Sequence, residues 1–556
     1  MKLQIWMGRA GAGKSRLVLE TLEKQRRQRP QVLLVPEHAS HEAELDLCRI
    51  CGPTASRDAE VLSFRNLATR VLSQTGGLAD VTLDNGGKLL TMRRALQEVS
   101  GRLTVFARPS QRPAFLRQLV ALADELYAYR VTPAALMEQV SDMDGAAGEK
   151  LRSAALIYGA YDARLHGEGI DARSRVQKLC DALPSSDYLV GKDVYVDGFS
   201  YFNRVEEDIL ETALRQANSV TVTLLGDESD PQLFQNALRQ RDRLKRMAAA
   251  VRSECEVKTL VSNGDGALAH LERCFFGDET PWQGAQPSIR LYQAETPFSE
   301  VEYVAAQVRR LAREGCRWRD IGVTARNMEV YGPLLEAVFR RDGIPAYISR
   351  RSDILEKPVL TMLLSAVDAV TGGFEYEDVF RCLKTGMAGV STAECDILEN
   401  YVIRWEIRGA MWLRDTDWTA SPDGYGAELN ETRRQRLAEV NAVRRRVRDL
   451  FIDLSEGLKT ELTIRDKAET LYRFAESAAV PETLKQQTEA LYDDGQVQLA
   501  EEYSQLWRIF CDVLDQFVEL LGDVEVDGQE FARLLRLVLS QYAVATIPAT
   551  LDQVKV

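Results

Sequence analysis

The chain has 556 residues, 45% of them hydrophobic, and a formal net charge of −13. That length gives room for about three or four domains with sizeable cores, and the acidic balance argues against indiscriminate binding to polyanions while permitting a local basic groove. Nine irregularly spaced cysteines do not make a secreted disulfide framework, no apolar run approaches a membrane span and no signal-peptide pattern opens the chain, so a reduced cytoplasmic protein without membrane association is expected.

Leu3 to Met7 is a short apolar run suited to a buried strand, and Gly8-Arg-Ala-Gly-Ala-Gly-Lys-Ser15 follows it with G-x-x-x-x-G-K-[ST] spacing, leading into a helix-periodic stretch from Ser15 to Glu23. Strand, glycine loop and helix in that order are the context of a P-loop. Gly8, Gly11 and Gly13 permit the dihedrals and close approach that turn successive N–H groups toward phosphate oxygens, with Arg9, Ala10 and Ala12 supplying the intervening backbone. The helix N-terminus adds partial positive charge. Lys14 is expected on the β- and γ-phosphates of ATP, and the Ser15 hydroxyl on Mg²⁺.

Gln31 to Glu37 reads as a second buried strand, Ser40 to Cys48 as a helix and Val61 to Phe64 as a third strand, followed by a helix through Leu72 and a Thr-Gly-Gly stop. Strands alternating with helices predict a parallel α/β sheet with its ligand at the strands' carboxyl ends. From Leu78 to Asp187 the pattern is helical, then Lys192–Asn203 and Val220–Asp227 return to strand. A Gly-rich linker over 264–286 precedes a second α/β pattern: a strand at Ser288–Ala294, a helix at Glu300–Glu314, a strand at Asp320–Arg326 and a helix-strand pair to Ile348. Helices dominate from Leu360 to Leu539, with loops at Arg414–Glu428 and Asp523–Gly528, and Thr546–Val556 reads as a returning strand at which the chain stops, which suggests a truncation. The expected layout is therefore one α/β core over 1–77 and 188–280 with a helical insertion at 78–187, and a second over 287–359 and 543–556 with a helical insertion at 360–542.

Asp197 closes the apolar strand Val194–Val196, where a Walker B carboxylate would help hold Mg²⁺. The next residue is Gly198, where a hydrolytic motor places a Glu to orient or deprotonate water, so general-base assistance worth roughly 10²- to 10⁴-fold is missing at that position. Arg326 suits a γ-phosphate sensor as well as a surface ion pair. Tyr201 and Phe202 suit stacking on nucleobases as well as core packing. Cys48 and Cys51 form a lone C-x-x-C within a helix and are read as inert, and His38 and His41 are not read as a metal site. Arg239 to Arg246 is a basic cluster read as a solvated helix face, and Trp405, Trp412 and Trp418 fall near Arg404, Arg408 and Arg414 in a segment suited to DNA or to a partner chain.

The P-loop at the extreme N-terminus, Leu34-Val-Pro-Glu37, Val61-Leu-Ser-Phe64 and Val196-Asp-Gly-Phe199, then Leu383-Lys-Thr-Gly386, Leu398-Glu-Asn-Tyr401 and Ile547-Pro-Ala-Thr-Leu-Asp-Gln-Val554, together resemble the AddB family, the B subunits of bacterial AddAB ATP-dependent helicase-nucleases. The resemblance runs along essentially the whole chain. It implies a UvrD-like superfamily 1 architecture with two RecA-like P-loop cores, each interrupted by an all-helical insertion. It also implies a catalytic A subunit as partner in a heterodimer, action on double-stranded DNA ends, and scanning of the 3′-ended single strand for the Chi sequence by a helicase region that has given up motor duty. The family's nuclease domain and iron-sulfur cluster would lie past Val556, as would its late arginine motif. By the same resemblance, His38, Phe64 and Asn66, with Tyr201 and Phe202, border the single-strand path. His38 stands where Gln is common, and Asn66-Leu-Ala-Thr69 replaces a frequent Arg-Leu-Ala-Trp, two departures from the family pattern along that path. An autonomous superfamily 1 helicase and a small-molecule P-loop kinase are the competing readings; Gly198 counts against the first and the second α/β pattern against the second.

Overall fold

The computed structural model describes residues 2–78, 83–103, 105–106, 113–167, 175–261, 264, 266–277, 280–348, 352–459, 462–544 and 552–556. The contacts divide the chain into two units, Met1–Thr82 with Ala121–Tyr292, and Leu83–Val120 with Gln293–Val556.

The first unit is built on a six-stranded, wholly parallel sheet of β1 (Lys2–Gly8), β2 (Gln31–Leu34), β3 (Ala59–Leu62), β4 (Asp193–Val196), β5 (Ser219–Leu225) and β6 (Glu254–Leu260), in the order β3-β2-β4-β5-β1-β6. Helices α1 (Lys14–Gln25), α2 (Ser40–Cys51) and α3 (Phe64–Thr75) make the early crossovers. The period-2 alternation of strand side chains divides the core between the two faces. Leu3, Ile5 and Met7 join Val32, Leu34, Val194 and Val196 on one face, over α3 and the helix Arg204–Gln216. Trp6, Leu33, Val35, Val61 and Tyr195 pack on the other with Val18, Leu19 and Leu22 of α1 and Leu47 of α2. A parallel sheet covered on both faces requires this near-continuous apolar character in its central strands.

β6 is not among the strands expected from sequence. Its residues are mostly exposed, unlike those of the other edge strand, β3, so it lacks the apolar run that marks the other strands.

In the second unit the α/β part is small. Gly322 bridges Lys555 in parallel, and β10 (Val554–Lys555) pairs in parallel with β7 (Ala346–Tyr347), over a core of Val301, Ala305, Val308, Ile321, Leu335, Val338 and Phe339. A separate antiparallel pair joins β8 (Ser352–Asp353) to β9 (Ala543–Val544). Ser288–Ala294 is not a strand: Leu291 is 99% exposed, and the Gln286 side chain both donates to and accepts from the backbone of Ile289, so no neighbour supplies a ladder. The expected strand Asp320–Arg326 reduces to the bridge at Gly322, after a tight turn at Trp318–Asp320. Most of the expected terminal strand and of the Ile547–Val554 motif lies outside the described residues.

Long helices fill the rest of this unit, among them Glu431–Gly457, Ile464–Ser477, Val497–Leu521 and Gly528–Leu539. Helix Asn85–Val99 packs here, although the sequence pattern groups it with 78–187: Arg93 Nε donates to Glu530 at 3.0 Å and Arg94 Nη1 to the Leu520 carbonyl at 2.9 Å. The Trp segment is mainly internal, with Trp412 buried and Trp418 stacked on Tyr401 at 5.1 Å.

Candidate nucleotide site

β1 ends at Gly8 and α1 begins at Lys14, so the six-residue motif from Gly8 to Gly13 makes the turn between them. A Cβ on Gly8 would lie 2.8 Å from the Leu260 carbonyl oxygen and 2.9 Å from Ala12 Cβ, which is why β6 and the loop can pass so close. Gly11 and Gly13 have φ of +73° and +77°, a region that costs other residues of order 1–2 kcal/mol. Gly13 is the N-cap of α1 and uses no side-chain cap. The first N–H groups of α1 therefore keep the unsatisfied donors and partial positive charge that favour an anion.

Lys14 folds back over this loop, donating to the carbonyls of Gly8 at 2.7 Å and Arg9 at 2.9 Å. Burial pulls its ammonium pKa below 10.5, partly offset by the carboxylates of Asp197 and Glu272. Ser15 is exposed in the first turn of α1. Asp197 follows β4, and its Oδ1 accepts a hydrogen bond from the buried Thr223 hydroxyl on β5, the strand inserted between β4 and β1. Lys14 and Asp197 are thus brought within electrostatic reach at the carboxyl ends of the interior strands. A glycine cradle, a lysine and a carboxylate so placed fit a nucleotide phosphate and a divalent ion.

Gly198 has φ +83°, and a Cβ there would stand 3.3 Å from Cδ of Pro36. The position normally held by a motor's Glu is therefore a left-handed turn against a rigid ring.

Arg9 is committed elsewhere in the protein. Its Nε donates to both carboxylate oxygens of Glu272 at 3.1 Å, Nη1 donates to Asp227 at 3.3 Å and Nη2 to the Glu272 carbonyl at 3.3 Å, while the guanidinium lies 5.0 Å from the Phe234 ring centroid. Burial lowers its pKa, but these two carboxylates outweigh that effect. Asp227 is held below the usual carboxylate range by the Ser229 backbone N–H and by Arg9. Sequence reasoning does not single out Thr223, Asp227 or Glu272; the only local signal is Gly226-Asp227 at the carboxyl end of a strand.

The other predicted residues separate. His38, Asn66 and Tyr201 are exposed, Tyr201 by 73%, and follow the carboxyl ends of the neighbouring strands β2, β3 and β4. Phe64 and Phe202 are 5% and 3% exposed and each pack at 5.3 Å against Phe199. Arg326 is exposed in the second unit. Cys48 and Cys51 are free thiols, and burial is the main influence that pushes Cys51 up to about 11. Among the described residues no cluster of His, Cys, Asp and Glu could hold a metal ion, and no helix is long and apolar enough to cross a membrane.

The family described as "ADDB, N-terminal" matches residues 5–272, from within β1 through β6, and takes in the glycine loop and Glu272. The chain belongs to the AddB family. It is 35% identical over 588 aligned residues to a protein of Desulforudis audaxviator named as the B subunit of an ATP-dependent helicase/deoxyribonuclease. Proteins of the same name from Acetivibrio thermocellus and Clostridium botulinum (strain Loch Maree) are 31% and 29% identical. Each alignment takes in all of this chain and 50% of the relative, so the chain spans about half the length of the curated relatives it matches.

Proposed function

We propose that this chain is the ATP-binding, helicase-like region of the B subunit of a heterodimeric helicase-nuclease that processes double-stranded DNA ends, and that it tracks the 3′-ended single strand rather than driving the motor. The observation that carries this reading is the pairing of a strand, glycine loop and helix bearing Lys14 with Gly198: the loop suits phosphate binding, while the turn after Asp197 would strain a Glu in the next position. The relatives' shared name supports a role within a complex and ATP dependence.

In this reading the backbone of Gly8, Arg9, Ala10, Gly11, Ala12 and Gly13 cradles the phosphates, Lys14 pairs with the terminal ones, and Ser15 and Asp197 hold Mg²⁺. The ion would neutralise phosphate charge and fix its orientation. The order β3-β2-β4-β5-β1-β6, with one strand between the P-loop strand and the Asp197 strand, supports a RecA-like first unit; a second RecA-like core of superfamily 1 type is proposed for the α/β part of the other. His38, Asn66 and Tyr201, on adjacent strand ends, are the proposed contacts with single-stranded DNA and with Chi. Phe64 and Phe202 support that surface from beneath.

The test is ATP binding and turnover by the purified chain, with and without single-stranded DNA, beside a Lys14→Ala variant. Binding abolished by Lys14→Ala, with negligible turnover, is the expected result. Brisk DNA-stimulated turnover would favour an autonomous helicase, and binding that ignores Lys14→Ala would remove the P-loop assignment.

A further inference from the structure

We propose that Arg9 is a positioning residue that sets nucleotide affinity by neutralising Asp227 and Glu272 at the rim of the P-loop, and that through Glu272 this affinity depends on the seating of helix Ala267–Cys274. The inference rests on the reading of the P-loop as an ATP site.

An arginine at the second position of a phosphate loop would ordinarily be taken for a phosphate ligand. Here Nε, Nη1 and Nη2 all donate to protein acceptors and the guanidinium faces an aromatic ring. Its side chain is 14% exposed, against 24% for Asp227 and 27% for Glu272, so the group is shielded and only partly screened by solvent. Two carboxylates against one guanidinium leave the cluster with a net charge of −1. That charge sits beside the phosphate loop: Arg9 belongs to the loop, and the Glu272 carboxylate is near enough to Lys14 to act on its proton. Triphosphate bound at Lys14 would meet the same field with the opposite sign. Arg9 therefore works for the nucleotide without touching it, by cancelling about half of the repulsion that the two acids would otherwise exert.

The cluster also joins distant parts of the first unit. Arg9 follows β1, Asp227 lies just past β5, and Glu272 is on a helix that buries none of its own residues. The three, with Gly8, Leu260 and Arg273, line a cavity beside the loop. When the helix shifts away, Glu272 leaves Arg9 and the local charge becomes more favourable to phosphate; when it seats, the guanidinium is recaptured. The helix carries Leu268 at 62% exposure and leads into Phe275 at 65%, so a change at its outer face would be felt at the loop through the ion pair and the carbonyl contact that Glu272 makes with Arg9.

The experiment is titration of the full chain with a fluorescent ATP analogue and Mg²⁺. Arg9→Ala should weaken binding about tenfold, by an amount that shrinks as salt is raised. Adding Asp227→Asn and Glu272→Gln to Arg9→Ala should restore affinity to within about threefold of the parent. The two acid substitutions alone, which free the Arg9 charge, should tighten binding. A purely structural role for Arg9 would give none of this rescue, because removing the acids removes its partners too. Unchanged affinity in Arg9→Ala, or a loss that neutralising both acids does not repair, would overturn the proposal. If Arg9→Ala does not fold, the acid variant decides, and failure to tighten counts against it. Absence of any nucleotide binding by the parent chain would instead strike the P-loop reading, so the two failures are distinct.

Discussion

Replacing Gly198 tests whether the missing motor carboxylate is a matter of one side chain or of the backbone that would carry it. Gly198 follows Asp197 with φ +83°, where a side chain costs of order 1–3 kcal/mol. The Cβ would meet Cδ of Pro36 at 3.3 Å, and the proline ring has little freedom to yield. Gly198→Ala should therefore lower stability by about 1–3 kcal/mol, read as a lower urea midpoint at unchanged slope. Gly198→Glu should lose a similar amount and gain no ATP turnover, because relaxing the strain moves the turn that places Asp197. The assays are urea unfolding followed by circular dichroism and steady-state ATP hydrolysis with single-stranded DNA. A wild-type midpoint in Gly198→Ala, or DNA-stimulated hydrolysis in Gly198→Glu, would refute the claim that the backbone excludes the carboxylate.

Thr223→Val keeps the shape of a buried side chain but removes its hydrogen bond to Asp197; Mg²⁺-dependent nucleotide affinity should fall roughly tenfold with affinity in chelator unchanged, and an identical Mg²⁺ requirement would contradict the role given to Asp197. Lys14 must be charged to attract phosphate, and because burial lowers its pKa from 10.5, affinity should fall as pH rises through a value below 10.5; a flat alkaline profile in nucleotide titrations would count against it. In the second unit, a Cβ at Gly457 would lie 2.2 Å from Thr470 Oγ1 and 2.3 Å from its Cγ2, so Gly457→Ala should destabilise by about 1–3 kcal/mol. Adding Thr470→Ala should recover much of that loss in urea unfolding, and strict additivity would show that the two positions do not share the space.

Much of the first unit is legible in the order of residues. Val32–Val35 and Val194–Val196, with Leu3 and Ile5–Met7, are apolar because central parallel strands are covered on both faces, and the strand, glycine loop and helix that follow are legible because the motif fixes glycine and lysine at set spacing along a single turn. Those constraints are local, so sequence alone determined them, together with Asp197 and the absence of a carboxylate after it. Edge strand β6, the short pairings of Gly322, β7 and β10, and the membership of Asn85–Val99 in the second unit required the tertiary structure. So did the roles of Thr223, Asp227 and Glu272, the last of which is 263 residues from Arg9. A carboxylate takes its meaning from the charge it faces, and a glycine from the atoms its missing Cβ would strike. Neither is written in neighbouring residues, which is why the strand, loop and helix of the candidate site could be read from the sequence while its electrostatic balance could not.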